Sequence, residues 1–218
     1  MSAVVDPLRL LSTVTCSGIL AGSVILKMPQ IARIRQSKSV LGLSPSSLYA
    51  EVISGAAGAM VCSLRRYRFL AWGEGLFILV QNLALTLMLW RYSDPPMPPP
   101  AAAAAAVGFF AAAALMYLWL PPRFYDALMA SNAPLLLCST VPQILLNLRD
   151  GHTGQLSAST VGLKIAGAAA RIFTTLVEIG PDPYILFNYA LAVALNCVQL
   201  LQVFFFRDAT ATANAAAA

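Results

Sequence analysis

Charge is scarce in this chain. Asp, Glu, Lys and Arg make up 11% of 218 residues, against about 25% in an ordinary soluble domain. That is too little polar surface to wrap a water-soluble globule. The net charge of +5 is spread over short connecting segments rather than gathered on one face, which excludes a nucleic-acid partner. Histidine occurs once, as His152, so no multi-histidine metal site can be built. The four cysteines, Cys16, Cys62, Cys138 and Cys197, lie in apolar runs without metal spacing or a paired loop pattern. They read as small buried hydrophobes. No phosphate loop, dinucleotide fingerprint or nucleophile–base set is present. Catalytic residues, metal ligands and cofactors are therefore not expected, and the chain does not read as an enzyme.

What the chain has in abundance is hydrocarbon: 59% of its residues are hydrophobic and its mean hydropathy is +0.73. A bilayer-crossing helix needs about 20 mainly apolar residues. Seven such runs are expected, near residues 10–32, 46–64, 72–90, 101–120, 124–147, 157–178 and 184–206. The fourth is alanine-rich, opens after the proline-rich segment 94–100, and is closed by Pro121-Pro122. The first lacks a basic segment ahead of a short apolar core and is read as a retained span rather than a signal peptide. The implied class is an all-α membrane protein whose natural partner is the lipid bilayer.

Two of these runs carry the same signal. Pro29-Gln30 and Pro142-Gln143 stand 113 residues apart, and the Leu-Ser pairs that follow, Leu43-Ser44 and Leu156-Ser157, keep that offset. A duplicated block of three spans on either side of a single linker helix gives a 3+1+3 arrangement. The odd linker lets the second copy start in the same orientation as the first, so the repeats are parallel. The expected organisation is a first repeat at 1–94, a connector and linker helix at 95–122, a second repeat at 123–206 and a disordered tail at 207–218. Arg33, Arg35, Lys38, Arg91, Arg149 and Arg207 place their face on the cytoplasmic side by the positive-inside rule, with Arg9, Arg65, Arg66, Arg68 and Arg123 opposite.

Each proline removes an N–H and releases the carbonyl four residues earlier, so Pro29, Gln30, Pro142 and Gln143 are candidate hinges. The competing account is that each pair merely ends a helix. In the sixth run Lys164, Arg171 and Glu178 are spaced by seven residues, about 700° of helix turn, and so form one polar stripe. Ionisable groups inside a span usually face the bundle interior. The 113-residue offset sets Glu51 opposite Lys164 and Arg65 opposite Glu178 as candidate gating pairs, the competing account being that the span-end charges snorkel to headgroups. Asn82 and Asn196, 114 apart, suit a hydroxyl-rich or phosphate-bearing ligand; inter-helix hydrogen bonding is the alternative. Gln81, Gln199 and Gln202 are further interior amides. His152 reads as a solvated loop residue, and Ser157 as a cap.

The duplicated Pro-Gln motif in a seven-span chain resembles the PQ-loop superfamily, which includes the SWEET sugar carriers, lysosomal amino-acid exporters and KDEL receptors. Within it, Lys27-Met28-Pro29-Gln30, Lys38-Ser39 with Gly42-Leu43-Ser44, Trp72-Gly73-Glu74, and residues 130–134, 151–157 and 170–174 are most similar to the mannose-P-dolichol utilization defect subfamily. The resemblance covers residues 20–206. It implies an endoplasmic-reticulum membrane protein needed to use dolichol-phosphate mannose and glucose as lumenal donors for N-glycan precursor and GPI-anchor synthesis. Dolichol-phosphate-linked sugars, and endoplasmic-reticulum glycosyltransferases, would be its partners. Lys164 and Arg171 would meet the phosphate, and Asn82 and Asn196 the sugar. A non-transporting accessory of those transferases and a SWEET-type free-sugar or amino-acid carrier are the alternatives. The tail departs from the pattern, with Ala, Thr and Asn where basic residues are expected.

Overall fold

A computed structural model describes residues 6–40, 43–153 and 158–209. Gly42, Gly154, residues 155–157 and the tail from 210 onward, with the readings placed on them, lie outside the described residues. The architecture is helical: α1 (Pro7–Ile25), α2 (Met28–Ser37), α3 (Pro45–Leu64), α4 (Gly73–Tyr92), α5 (Pro99–Trp119), α6 (Tyr125–Ala130), α7 (Asn132–Asp150), α8 (Ala158–Glu178) and α9 (Pro183–Phe205). Among the described residues six segments are long and apolar enough to cross a membrane: Pro7–Ser37, Pro45–Leu64, Gly73–Tyr92, Pro99–Trp119, Pro122–Asp150 and Pro183–Phe205. The expected seventh is α8, which has the length but carries Lys164, Arg171 and Glu178.

Helix starts follow from local chemistry. Asp6, Ser44 and Asp182 accept hydrogen bonds from the first-turn amides of α1, α3 and α9, and each is followed by a proline at the first helical position. Helix stops are equally local. Lys38 (φ 51°) and Gly151 (φ 67°) cap α2 and α7 in the left-handed conformation. Arg66 (φ 55°) and Gly180 (φ 101°) follow the ends of α3 and α8 in the same conformation. Lys38 and Gly151 are 113 apart, Arg66 and Gly180 are 114 apart. The one-residue offset is thus complete before the 180–183 turn, and α8 is one residue longer than α3 (21 against 20).

The chain divides into two compact units after Met129. In the first, α4 packs against α1, α2 and α3, with α5 on α3; in the second, α9 packs against both α7 and α8. Each unit thus places the third helix of its repeat against the other two. The first unit's core is Ile34, Leu48, Leu85 and Leu89, with Ile31, Leu43 and Met88 packed on it.

Burial is inverted relative to a soluble protein. Gln81, Asn82, Asn147, Arg171, Asn196, Gln199 and Gln202 are buried, whereas Val107, Leu115, Leu118, Trp119, Phe204 and Phe205 are exposed. Apolar side chains outside and amides inside is the pattern of a chain solvated by lipid. The cysteines do not all follow the buried reading: Cys16 and Cys62 are buried, but Cys138 is exposed and Cys197 half-buried, as an apolar solvent permits.

Candidate functional site: two related polar cavities

In the first unit the helix run that leads to Pro29 does not bend; it breaks. α1 stops at Ile25, the residue whose carbonyl Pro29 cannot serve, and α2 restarts at Met28 with Pro29 in its first turn. Gln81 of α4 closes the gap. Its Oε1 accepts from the Lys27 amide at 2.8 Å, and its Nε2 donates to the Ser23 carbonyl at 2.7 Å and to Phe77 O at 3.0 Å. At the same break Lys27 Nζ pairs with the Glu51 carboxylate of α3. Glu51 Oε2 also accepts from Asn82 Nδ2 at 3.1 Å, while Asn82, 1% exposed, leaves its Oδ1 buried without a hydrogen-bond partner. Beside this pair is a cavity of about 260 Å³ lined by Lys27, Gln30, Ser44, Ser47, Glu51 and Leu85.

In the second unit Pro142 is carried inside a continuous α7. The interruption of that span comes earlier, at Ser131 between α6 and α7, three residues before Pro134. Gln143 and Asn147, one turn apart on α7, start an amide relay: Gln143 Nε2 donates to Asn147 Oδ1 (2.9 Å), Asn147 Nδ2 to Gln202 Oε1 (3.0 Å), and Gln202 Nε2 to the Ile144 carbonyl (2.9 Å). Next to it opens a cavity of about 750 Å³, lined among others by Thr140, Gln143, Asn147, Asp150, Lys164 and Gln199. His152 and Asn196 also line it. His152 Nδ1 is buried without a hydrogen-bond partner, and Asn196 donates to the Ala192 carbonyl of its own helix at 2.7 Å. Among the described residues Lys164 has no ion-pair partner.

The two cavities occupy the same place in their repeats. Gln30 corresponds to Gln143, Lys27 to Thr140 and Glu51 to Lys164 at an offset of 113, and Leu85 to Gln199 at 114; all eight are lining residues.

Of the residues predicted from sequence, Gln143, Lys164 and Asn196 come together around the second cavity, and Gln30 and Glu51 around the first. Asn82 reaches the first through Glu51. Arg171 is buried, 4% exposed, but is not among the residues lining the second cavity. Glu51 is engaged by Lys27 and Asn82, and Arg65 by Asp126 with Tyr67 OH nearby at 3.3 Å; Glu178 ends α8. Sequence reasoning assigned no role to Lys27, Asn147 or Asp126. The signal for Asn147 was present, since an amide four residues after Gln143 shares its helix face.

The PQ loop repeat family matches twice, over residues 11–70 and 124–184, more than half of the chain. The chain belongs to the PQ-loop repeat family. Each match contains one Pro-Gln pair and one of the two equivalent charges, Glu51 or Lys164, so each copy of the family's repeat in this PQ-loop protein contributes to one of the two equivalent polar cavities.

Proposed function

We propose that this PQ-loop protein handles a lipid-linked glycosyl phosphate, without enzymatic chemistry of its own. Its setting is the endoplasmic reticulum, where dolichol-phosphate mannose and glucose serve as lumenal donors for N-glycan precursors and GPI anchors. The observation that carries the reading is the second cavity, where Lys164, without an ion-pair partner among the described residues, shares the lining with amides and the Asp150 carboxylate. The cation suits a phosphate, and the amides and carboxylate suit sugar hydroxyls. The strings shared with the mannose-P-dolichol utilization defect subfamily support the choice of sugar lipid over a free solute.

In this reading α8 is the seventh crossing. Arg171 is buried and Lys164 opens onto the second cavity, and counting α8 as a span completes a 3+1+3 arrangement with α5 as linker. Pro29, Gln30, Pro142 and Gln143 flex the helices that flank the two cavities, and Glu51, Arg65, Arg171 and Glu178 are charges that re-pair as the passage opens. Asn196 contacts the sugar, and Asn82 holds Glu51 beside the first cavity. Endoplasmic-reticulum glycosyltransferases receive the donor.

The test reconstitutes the protein in liposomes with a short-chain dolichol-phosphate-mannose analogue and measures its appearance in the opposite leaflet. Protein-dependent crossing that Lys164→Gln lowers at least about tenfold is the expected result. Binding without crossing makes the protein a non-transporting presenter of the donor. Neither binding nor crossing by folded protein overturns the reading.

A further inference from the structure

The two cavities share a position but not a chemistry, and the buried amides among their lining residues are all in the second. Ile34, Leu85 and Met88 of the first unit pack together beside its cavity. Their counterparts are Asn147, Gln199 and Gln202, two of which line the second cavity while the third is bonded to Asn147. Three apolar residues in one copy have become three buried amides in the other. The charge differs too. Lys27 neutralises Glu51 in the first unit, whereas Lys164 shares its cavity with Thr140, the neutral counterpart of Lys27, and with Asp150. The first cavity is about a third the size of the second.

Buried amides are costly unless they are bonded, and Gln199, 4% exposed, makes no hydrogen bond among the described residues while lining the second cavity. Its amide is held toward empty polar space. His152 Nδ1 is a buried, unpartnered polar atom on a lining residue of that cavity.

We propose that polyol recognition resides in the second repeat, where Gln199 and Asn147, braced by Gln202, bind hydroxyl groups of a glycosyl anion held by Lys164. The equivalent place in the first repeat is filled by Ile34, Leu85 and Met88 and binds no ligand. The anionic part of this assignment rests on the reading proposed above; the division of labour between the repeats does not.

The experiment grafts first-repeat residues onto the second. The purified full-length chain in detergent is titrated with mannose 1-phosphate, inorganic phosphate and free mannose, for the parent chain, Gln199→Leu, Asn147→Ile and the reciprocal Leu85→Gln, with thermal midpoints to confirm folding. Gln199→Leu breaks no protein hydrogen bond among the described residues, so it keeps the test decisive if Asn147→Ile fails to fold. Mannose 1-phosphate should bind the parent more tightly than phosphate. Gln199→Leu should cut that preference about tenfold while phosphate binding holds, and Leu85→Gln should change neither. An unchanged preference in Gln199→Leu, or a changed one in Leu85→Gln, overturns the inference and leaves the glycosyl-phosphate reading standing. Free mannose binding as tightly as its phosphate, with the same graft abolishing it, keeps the inference and overturns that reading. No binding of any probe by the parent overturns both.

Discussion

Among the described residues four adopt left-handed backbone conformations, and they form two equivalent pairs in which the second repeat has glycine and the first a basic residue: Lys38 with Gly151, and Arg66 with Gly180. A non-glycine residue in that region costs about 1–2 kcal/mol, partly offset by the extra entropy glycine loses on folding. Lys38→Gly should therefore raise stability by up to about 1 kcal/mol, and Gly151→Lys should lower it by a similar amount, read as opposite shifts of thermal midpoint in detergent. Gly73 is constrained differently. A Cβ there would sit 2.6 Å from the Phe69 ring, which also stacks edge-on against Trp72 and Phe77. Gly73→Ala should destabilise by about 1–3 kcal/mol, and the same change at Gly75, which has open space, should not. The Pro-Gln pairs were legible from sequence at this scale. The left-handed positions in the first repeat were not, because lysine and arginine carry no turn signal.

At the scale of the helices, hydrophobic run length located the spans to within a few residues, since solvation by lipid imposes length directly. The two prolines show where that signal stops. They look alike in sequence, yet Pro29 follows a break and Pro142 sits in an unbroken helix. What differs is the neighbour: Gln81 of α4 supplies both a donor and an acceptor to the gap at residues 26–27, and the equivalent position by the 114 offset is Leu195. An interruption is tolerated in lipid only where its backbone groups are bonded. Gln81→Leu strips that partner from the buried Ser23 carbonyl and the half-buried Lys27 amide and should cost about 1–3 kcal/mol. Faster hydrogen exchange at the Lys27 amide than at amides in the middle of α1 would report the loss; an unchanged exchange pattern would show that Gln81 is not what holds the gap.

For the whole molecule, polar groups are inside and hydrocarbon outside, and stability should follow that inversion. Leu85 is fully buried beside the first cavity, whereas Leu118 of α5 is 73% exposed. Leu85→Ala should cost about 2–5 kcal/mol, and Leu118→Ala less than about 0.5 kcal/mol, compared by thermal unfolding in one detergent. The membrane class, the duplication and a minority of the cavity residues (Gln30, Glu51, Gln143, Lys164 and Asn196) could be read from the sequence, because apolar runs, a repeated motif and charges within a span are linear signals. That Lys164 lines a cavity and Arg171 does not was invisible, since both lie on the same stripe seven residues apart and only the packing of α7 and α8 against α9 separates them.

The single chain has a consequence for how the two copies could diverge. In a symmetric pair of half-length chains every substitution is made twice, so removing the counterpart of Lys27 would strand Glu51 in both halves at once. Fusion lifts that constraint. Thr140 can stand where Lys27 stands in the other copy because Glu51 keeps its own lysine, and one copy can keep its ion pair while the other carries a lone cation. Joining the repeats end to end is therefore what made them free to become unlike.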